Sequence, residues 1–330
     1  MGEFELIRKF FTRPVRHAVL GVGDDCALLQ TAPGMQMAIS TDMLVQGRHF
    51  FPDVDSYALG HKALAVNLSD LAACGARPLA CTLALALPEA RTEWLEPFSR
   101  GLLELADTHG CELIGGDTTQ GPLNICITVF GEVPTGGALL RSGAQPDDDI
   151  YVSGTLGDAH LALQALLGHV ALPEAVLATT RLRLERPTPR VALGLALRGV
   201  ASAAADVSDG LLGDLGHILT QSGVGATLNT SIAMHLLAAY ADISGASGLF
   251  DPSRSAALAL QCVLCGGDDY ELVFTAPATH RDAVAAAALQ GGVAVTRLGQ
   301  IDSERGLRLH DAQGAAVLNQ FASFDHFARS

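Results

Sequence analysis

Lysine is nearly absent from this chain. Of 21 basic residues only Lys9 and Lys62 are lysines, and 35 acidic residues set the net charge at −14. A protein that grips nucleic acid by its phosphates needs the opposite balance, so no nucleic-acid partner is expected. A small polyanion such as a nucleotide can still be held if divalent cations separate the two sets of negative charge. Long hydrophobic runs are missing too: no uncharged apolar stretch reaches the length of a membrane span, so no membrane partner is expected. The start, Met1-Gly2-Glu3-Phe4-Glu5, shows no basic segment followed by an apolar one, so no secretory signal is expected. The seven cysteines are odd in number and scattered, which disfavours a disulfide scaffold and points to the cytoplasm. Cys262-Val-Leu-Cys265 has no second pair, so it reads as a buried strand or helix end rather than a zinc site. Also missing are a P-loop, a G-x-G-x-x-G at a strand-to-helix turn, the protein-kinase signature set, a G-x-S-x-G elbow and H-E-x-x-H.

What is present is a series of Asp-rich turns. The first to stand out is Ser40-Thr41-Asp42, following the apolar Met37-Ala38-Ile39. Three oxygen-bearing side chains in a row suit the end of a strand, where backbone carbonyls can join them around a hard cation such as Mg²⁺. The same three residue types also cap helices. The recurrence of such clusters moves the balance toward a metal.

In chain order, strands are expected over Val19–Val22 and Ala27–Gln30, flanking the Gly23-Asp24-Asp25-Cys26 turn, and again at Met37–Thr41. Asp55-Ser56 opens a helix running to about Cys74, stopped by Gly75. Asn67 and Asp70 share a face of it. Leu79–Leu87 reads as a strand, about Thr92 to His109 as a helix, and Cys111–Ile114 as a short strand before a Gly115-Gly116-Asp117-Thr118-Thr119 loop. Asn124–Val133 is the next strand. Residues 136–149 are rich in Gly, Pro and Asp and are the expected linker; Arg141 there suits a phosphate or simply water. Residues 1–135 and 150–330 are the two expected domains. The second carries Gly154-Thr-Leu-Gly157-Asp158, the dense Asp206-Val-Ser208-Asp209-Gly-Leu-Leu-Gly-Asp214 cluster, and Gly266-Gly-Asp268-Asp269-Tyr-Glu271 before a strand. Intermixed strands and helices in both halves predict an α/β or α+β fold.

Taken together, these motifs resemble the bacterial thiamine-monophosphate kinases: Gly21-Val-Gly-Asp-Asp-Cys-Ala27, Ser40 through Phe50, Lys62-Ala-Leu-Ala-Val-Asn-Leu-Ser-Asp70, Gly115 through Thr119, Arg141-Ser-Gly-Ala144, Arg186-Pro-Thr-Pro-Arg190, Asp206 through Gly210 and Gly266 through Leu272. Single motifs are shared with aminoimidazole ribonucleotide synthetases and selenophosphate synthetases; the combination is closer to the kinases. The resemblance implies a homodimer whose N-terminal sheets form a β-barrel, with C-terminal α/β domains outside. It implies ATP-dependent phosphorylation of thiamine monophosphate, with several Mg²⁺ ions. By motif position, Asp25, Ser40, Thr41, Asp42, Asp70, Asp117, Asp206 and Asp209 hold metals, and Gly116, Asp117, Arg141 and Ser208 contact ATP. His49, Asp268 and Phe324 contact the acceptor. Asp42, Asp70, Asp117 and Arg141 are the expected catalytic set. Two departures bear on the acceptor: the family usually has Glu at Asp268 and often Tyr at Phe324. A sister ATP-dependent enzyme and a non-catalytic Mg-nucleotide-binding regulator are the alternatives.

Overall fold

The computed structural model describes residues 2–23, 25–244, 250–319 and 321. It divides into two compact units, Met1–Ala138 and Leu139–Ser330.

The first unit is built on a four-stranded sheet of β1 (Met35–Val45), β2 (Arg77–Leu87), β3 (Glu112–Gln120) and β4 (Asn124–Pro134), in the order β1-β4-β2-β3. β4 runs antiparallel to both neighbours, while β2 and β3 are parallel. A parallel pair needs a crossover, and helix Thr92–His109 supplies it. That helix stops at Gly110, which takes the left-handed conformation its C-terminus requires (φ 62°). Helix Ser56–Ala73 begins where the Asp55 carboxylate accepts the Ala58 N–H at 2.9 Å. The two helices meet at reciprocal glycines: a Cβ on Gly60 would lie 2.0 Å from the Phe98 carbonyl, and one on Gly101 2.0 Å from that of Tyr57. Leu59, Leu64, Leu68, Phe98 and Leu102 of the helices are buried, as are Leu85, Ile125 and Ile127 of the sheet. Each such side chain contributes about 1.5–3 kcal/mol of transfer free energy.

The period of two along β1 places Ser40, Asp42 and Leu44 on the half-buried or buried side and Ile39, Thr41 and Met43 on the other. On that second face Ile39 and Met43 are 61% and 52% exposed.

Three local expectations are corrected. β1 continues to Val45, so Ser40-Thr41-Asp42 sits inside a strand and not at its end, because β4 pairs with it through Asn124. Gly115–Thr119 is strand, not loop, because β2 extends to Leu87 and pairs with β3 residue by residue to Gln120. Val19–Val22 and Ala27–Gln30 do not form strands; among the described residues they meet at an isolated bridge between Leu20 and Leu28. Val19 is 69% exposed, with no sheet among the described residues to bury it.

The second unit carries a seven-stranded sheet of β5 (Asp149–Ser153), β6 (Ala203–Asp206), β7 (Gly225–Asn229), β8 (Leu272–Ala276), β9 (Val295–Asp302), β10 (Gly306–His310) and β11 (Ala316–Val317). Its order is β11-β10-β7-β9-β5-β8-β6. Every residue of β5 and β8 is buried, as suits strands near the middle of a covered sheet. Helices Asp158–Leu166, Leu211–Ser222 and Pro252–Cys265 contribute Leu161, Leu215, Ile218 and Val263 to its core. Residues 139–149 lie against this unit: Leu140 O accepts from Ala204 N at 2.9 Å, and Asp147 N and Asp148 O bond Ile301. Cys262 and Cys265 close a helix, and burial pushes the Cys262 thiol pKa up. The fold is thus α/β in two units. Among the described residues, no helix is long and apolar enough to cross a membrane.

Candidate functional site

In the first unit, the expected metal ligands fall at two places. The first is the seam between β1 and helix Ser56–Ala73. Ser40 Oγ donates to Asp70 Oδ2 at 2.5 Å, and Asp42 N donates to Asn67 Oδ1 at 3.0 Å. Asn67 is itself fixed by donating to Ala63 O at 3.0 Å. The three-residue spacing of Asn67 and Asp70 aims both at the strand, with Asn67 buried and Asp70 partly open. Thr41 points to the other face, where its hydroxyl pairs with that of Thr128 at 2.8 Å.

The second is a cavity of about 670 Å³ that takes in Asp25, Gly116 and Asp117, floored by Thr82, Leu83 and Ile114. Gly116 is a position no other residue could occupy: φ is 147°, and a Cβ would lie 1.9 Å from Leu83 O. The β2–β3 register shifts by one residue between Cys81 and Thr82, just before this point.

These two places are separated by the sheet. Asp42 is on β1, one edge; Asp117 is on β3, the other. Three strand spacings put them about 14 Å apart, so no single ion reaches both within one chain. Among the described residues, no three His, Cys, Asp or Glu side chains converge as a ready metal site. The donor set is nonetheless all oxygen, with two carboxylates and a hydroxyl at the β1 seam. That chemistry fits Mg²⁺, which commonly takes only one or two protein carboxylates and completes its shell with water and phosphate.

His49 closes the turn after β1. Its Nδ1 accepts from Val45 N at 3.0 Å, which leaves Nε2 carrying the proton of the neutral ring.

The second unit holds the rest. Asp206 ends β6, and the loop through Gly210 leads into helix Leu211–Ser222. The Ser208 and Asp209 amides both donate to Asp214 Oδ2, at 3.0 and 3.1 Å. Burial outweighs these two donors, and the Asp214 pKa is pushed up to about 7. Arg141 is exposed, and its carbonyl accepts from Ser222 Oγ at 3.2 Å. Asp268 sits in the Gly266–Glu271 turn with φ 68°, and Tyr270 Oη reaches its Oδ1 at 3.4 Å. Phe324 lies outside the described residues.

Sequence reasoning passed over the buried ions behind this turn. Glu271 is fully buried and accepts from Ser153 Oγ at 2.6 Å, Arg183 Nη2 at 2.8 Å and Arg190 Nε at 2.6 Å. Glu271 ends the quoted Gly-Gly-Asp-Asp-Tyr-Glu motif and Arg190 the Arg-Pro-Thr-Pro-Arg motif, but nothing in their spacing links the two.

Two family models match the chain: AIR synthase related protein, N-terminal domain, over residues 23–133, and AIR synthase related protein, C-terminal domain, over 145–312. The thiamine-monophosphate kinase of Salmonella typhimurium is 45% identical over 333 residues, covering 99% of this chain and 98% of that protein. The Escherichia coli K12 enzyme of the same name is 44% identical over 332 residues, with 99% and 98% covered. Among solved structures, a thiamine-monophosphate kinase from Stenotrophomonas maltophilia K279a superposes with a TM-score of 0.80 at 47% identity, covering 91% of this chain and 92% of that one. The structure described as AaThiL complexed with AMPPCP and TMP gives 0.75 at 27% identity, covering 90% and 89%.

Proposed function

The chain belongs to the AIR synthase related proteins and, within them, to the thiamine-monophosphate kinases, and from that premise we propose that it transfers the ATP γ-phosphoryl directly to the phosphate of thiamine monophosphate, yielding thiamine diphosphate and ADP. The end-to-end likeness to thiamine-monophosphate kinases carries this reading. The paired oxygen donors at the β1 seam and the Gly116–Asp117 cavity support it.

The acceptor oxygen is already anionic, so the task is to bring two polyanions into line, not to remove a proton. Mg²⁺, when bound, neutralises phosphate charge and aligns the reacting groups. Asp42, Asp70 and Ser40 are the proposed holders at the β1 seam, Thr41 on the opposite face of the same strand, Asp25 and Asp117 at the cavity, and Asp206 and Asp209 in the second unit. Gly116, Asp117, Arg141 and Ser208 are the proposed ATP contacts. Arg141 brings a guanidinium suited to phosphate oxygens. His49, Asp268 and Phe324 are the proposed acceptor contacts, Asp268 facing the thiazolium cation. In this division residues 1–135 serve nucleotide, metal and dimerisation, 136–149 connect, and 150–330 form the second domain. The cytoplasm is the proposed compartment.

The proposed assembly is a homodimer closed through the exposed face and free edges of the first sheet. Ile39 and Met43 would then be covered. A closure that sets β1 beside the β3 edge of the second copy would bring Asp42 toward the partner's Asp117. The test is ADP release, followed by a coupled assay, with thiamine monophosphate, thiamine and buffer alone. ADP formed only with thiamine monophosphate is the expected result; none above buffer overturns the kinase reading.

A further inference from the structure

The Gly266–Glu271 turn is expensive for the fold in two independent ways. Asp268 and Tyr270 both adopt left-handed backbone, φ 68° and 52°, where neither gains from lacking a Cβ and the bulky Tyr is a marked outlier. Between them, Asp269 is 1% exposed, and its Oδ1 has no hydrogen-bond partner among the described residues. Its other oxygen, Oδ2, accepts the Gly157 N–H at 2.7 Å, at the start of helix Asp158–Leu166. The turn is held on its other side as well. Asp268 N donates to Ser208 O and Tyr270 N to Val207 O, both at 2.9 Å, while Val207 N donates to Glu271 O at 2.8 Å. Gly267 packs so closely on Ser208 that a Cβ would lie 2.2 Å from its carbonyl.

A turn needed only to connect a helix to β8 would not retain two such costs. We propose that Asp269 is a positioning residue: by anchoring to the Gly157 amide it locks the strained turn against the 206–210 loop and so fixes the Asp268 carboxylate for the acceptor's cation. This rests on the reading of Asp268 as an acceptor contact. The anchor is a hydrogen bond to a backbone amide, made by a carboxyl whose pKa burial pushes up. Asn can accept the same N–H, whereas Ala cannot.

The full-length protein is compared with D269A and D269N. D269A is expected to raise the KM for thiamine monophosphate about tenfold while the KM for ATP stays within about twofold. D269N is expected to restore the acceptor KM and to unfold no more easily than the parent. Y270G relaxes the φ of 52° but also removes the Oη contact with Asp268, so it is compared with Y270F, which removes that contact alone; the acceptor KM is expected to rise further in Y270G than in Y270F. Amide hydrogen exchange read without substrate gives the independent arm: Gly157 and Asp268–Tyr270 exchange faster in D269A and are protected again in D269N. Unchanged exchange at these amides in D269A, or D269N behaving like D269A, overturns the anchor. Should D269A not fold, Y270G and Y270F decide: an acceptor KM in Y270G no higher than in Y270F overturns the proposal. If the parent makes no ADP with thiamine monophosphate, the kinase reading fails, and the exchange arm still decides the anchor.

Discussion

Replacing Glu271 by Gln perturbs the most completely buried ion cluster of the second unit. The carboxylate is fully buried and holds Arg183, Arg190 and Ser153 together, while the two guanidinium side chains keep 21% and 18% exposure. Gln keeps one acceptor oxygen but turns an N–H₂ toward two donors and leaves two cations without their counter-charge. Breaking a buried pair costs about 3–5 kcal/mol; the partial hydration of both arginines argues for the lower end, about 3 kcal/mol. In a unit of this size that lowers the thermal midpoint by about 6–12 °C and the urea midpoint by about 1–1.5 M. Urea unfolding followed by far-UV circular dichroism measures it. G154A should act in the same direction, because a Cβ there would lie 2.3 Å from Glu271 Oε1. A loss below about 1 kcal/mol in E271Q, with an unchanged slope, would refute the assignment of Glu271 as the centre of this cluster.

Four further outcomes are expected. D42N lowers turnover by at least about 100-fold and raises the Mg²⁺ concentration for half-activity; near-parental activity at low Mg²⁺ removes Asp42 from its role. M43E, on the exposed sheet face, shifts the protein to monomer in sedimentation velocity, and an unshifted dimer excludes that face as the contact. G101A destabilises the first unit by about 2–3 kcal/mol in thermal unfolding, since its Cβ would meet the Tyr57 carbonyl and not a yielding side chain. Asp149 is buried, and hydrogen bonding to Arg281 first, then to Arg297, holds its carboxyl below the ordinary range. Its contribution is therefore present above the ordinary carboxylate pKa and is lost as pH falls through the depressed folded value. D149N flattens that acid limb and costs about 1–2 kcal/mol at neutral pH, discounted because both arginines are half exposed; an unchanged acid limb contradicts it.

The helices of the first unit were legible because their ends carry local chemistry: Asp55 caps, and Gly75 and Gly110 stop. The strand character of Gly115–Thr119 was not, because two glycines and an Asp ordinarily break a sheet, and only the long partner β2 holds them in it. Nor could spacing along the chain reveal that β1 and β3 are opposite edges; that follows from β4 and β2 lying between them. Ser40 and Asp70 were readable as candidates, but their 2.5 Å contact spans 30 residues and depends on how helix Ser56–Ala73 crosses β1. The Glu271 cluster stayed hidden because its arginines come from distant segments, 81 and 88 residues away.

Among the described residues, the strand bearing Ser40 and Asp42 has one neighbour, β4, and Asp42 pairs opposite Ile127. During synthesis that strand must wait for nearly the whole first unit to emerge before a ladder partner exists. Late closure of so distant a contact is slow and leaves a polar edge uncovered meanwhile. A nascent chain halted before residue 124 should therefore be sensitive to protease around residues 35–45, and one released past residue 134 should not.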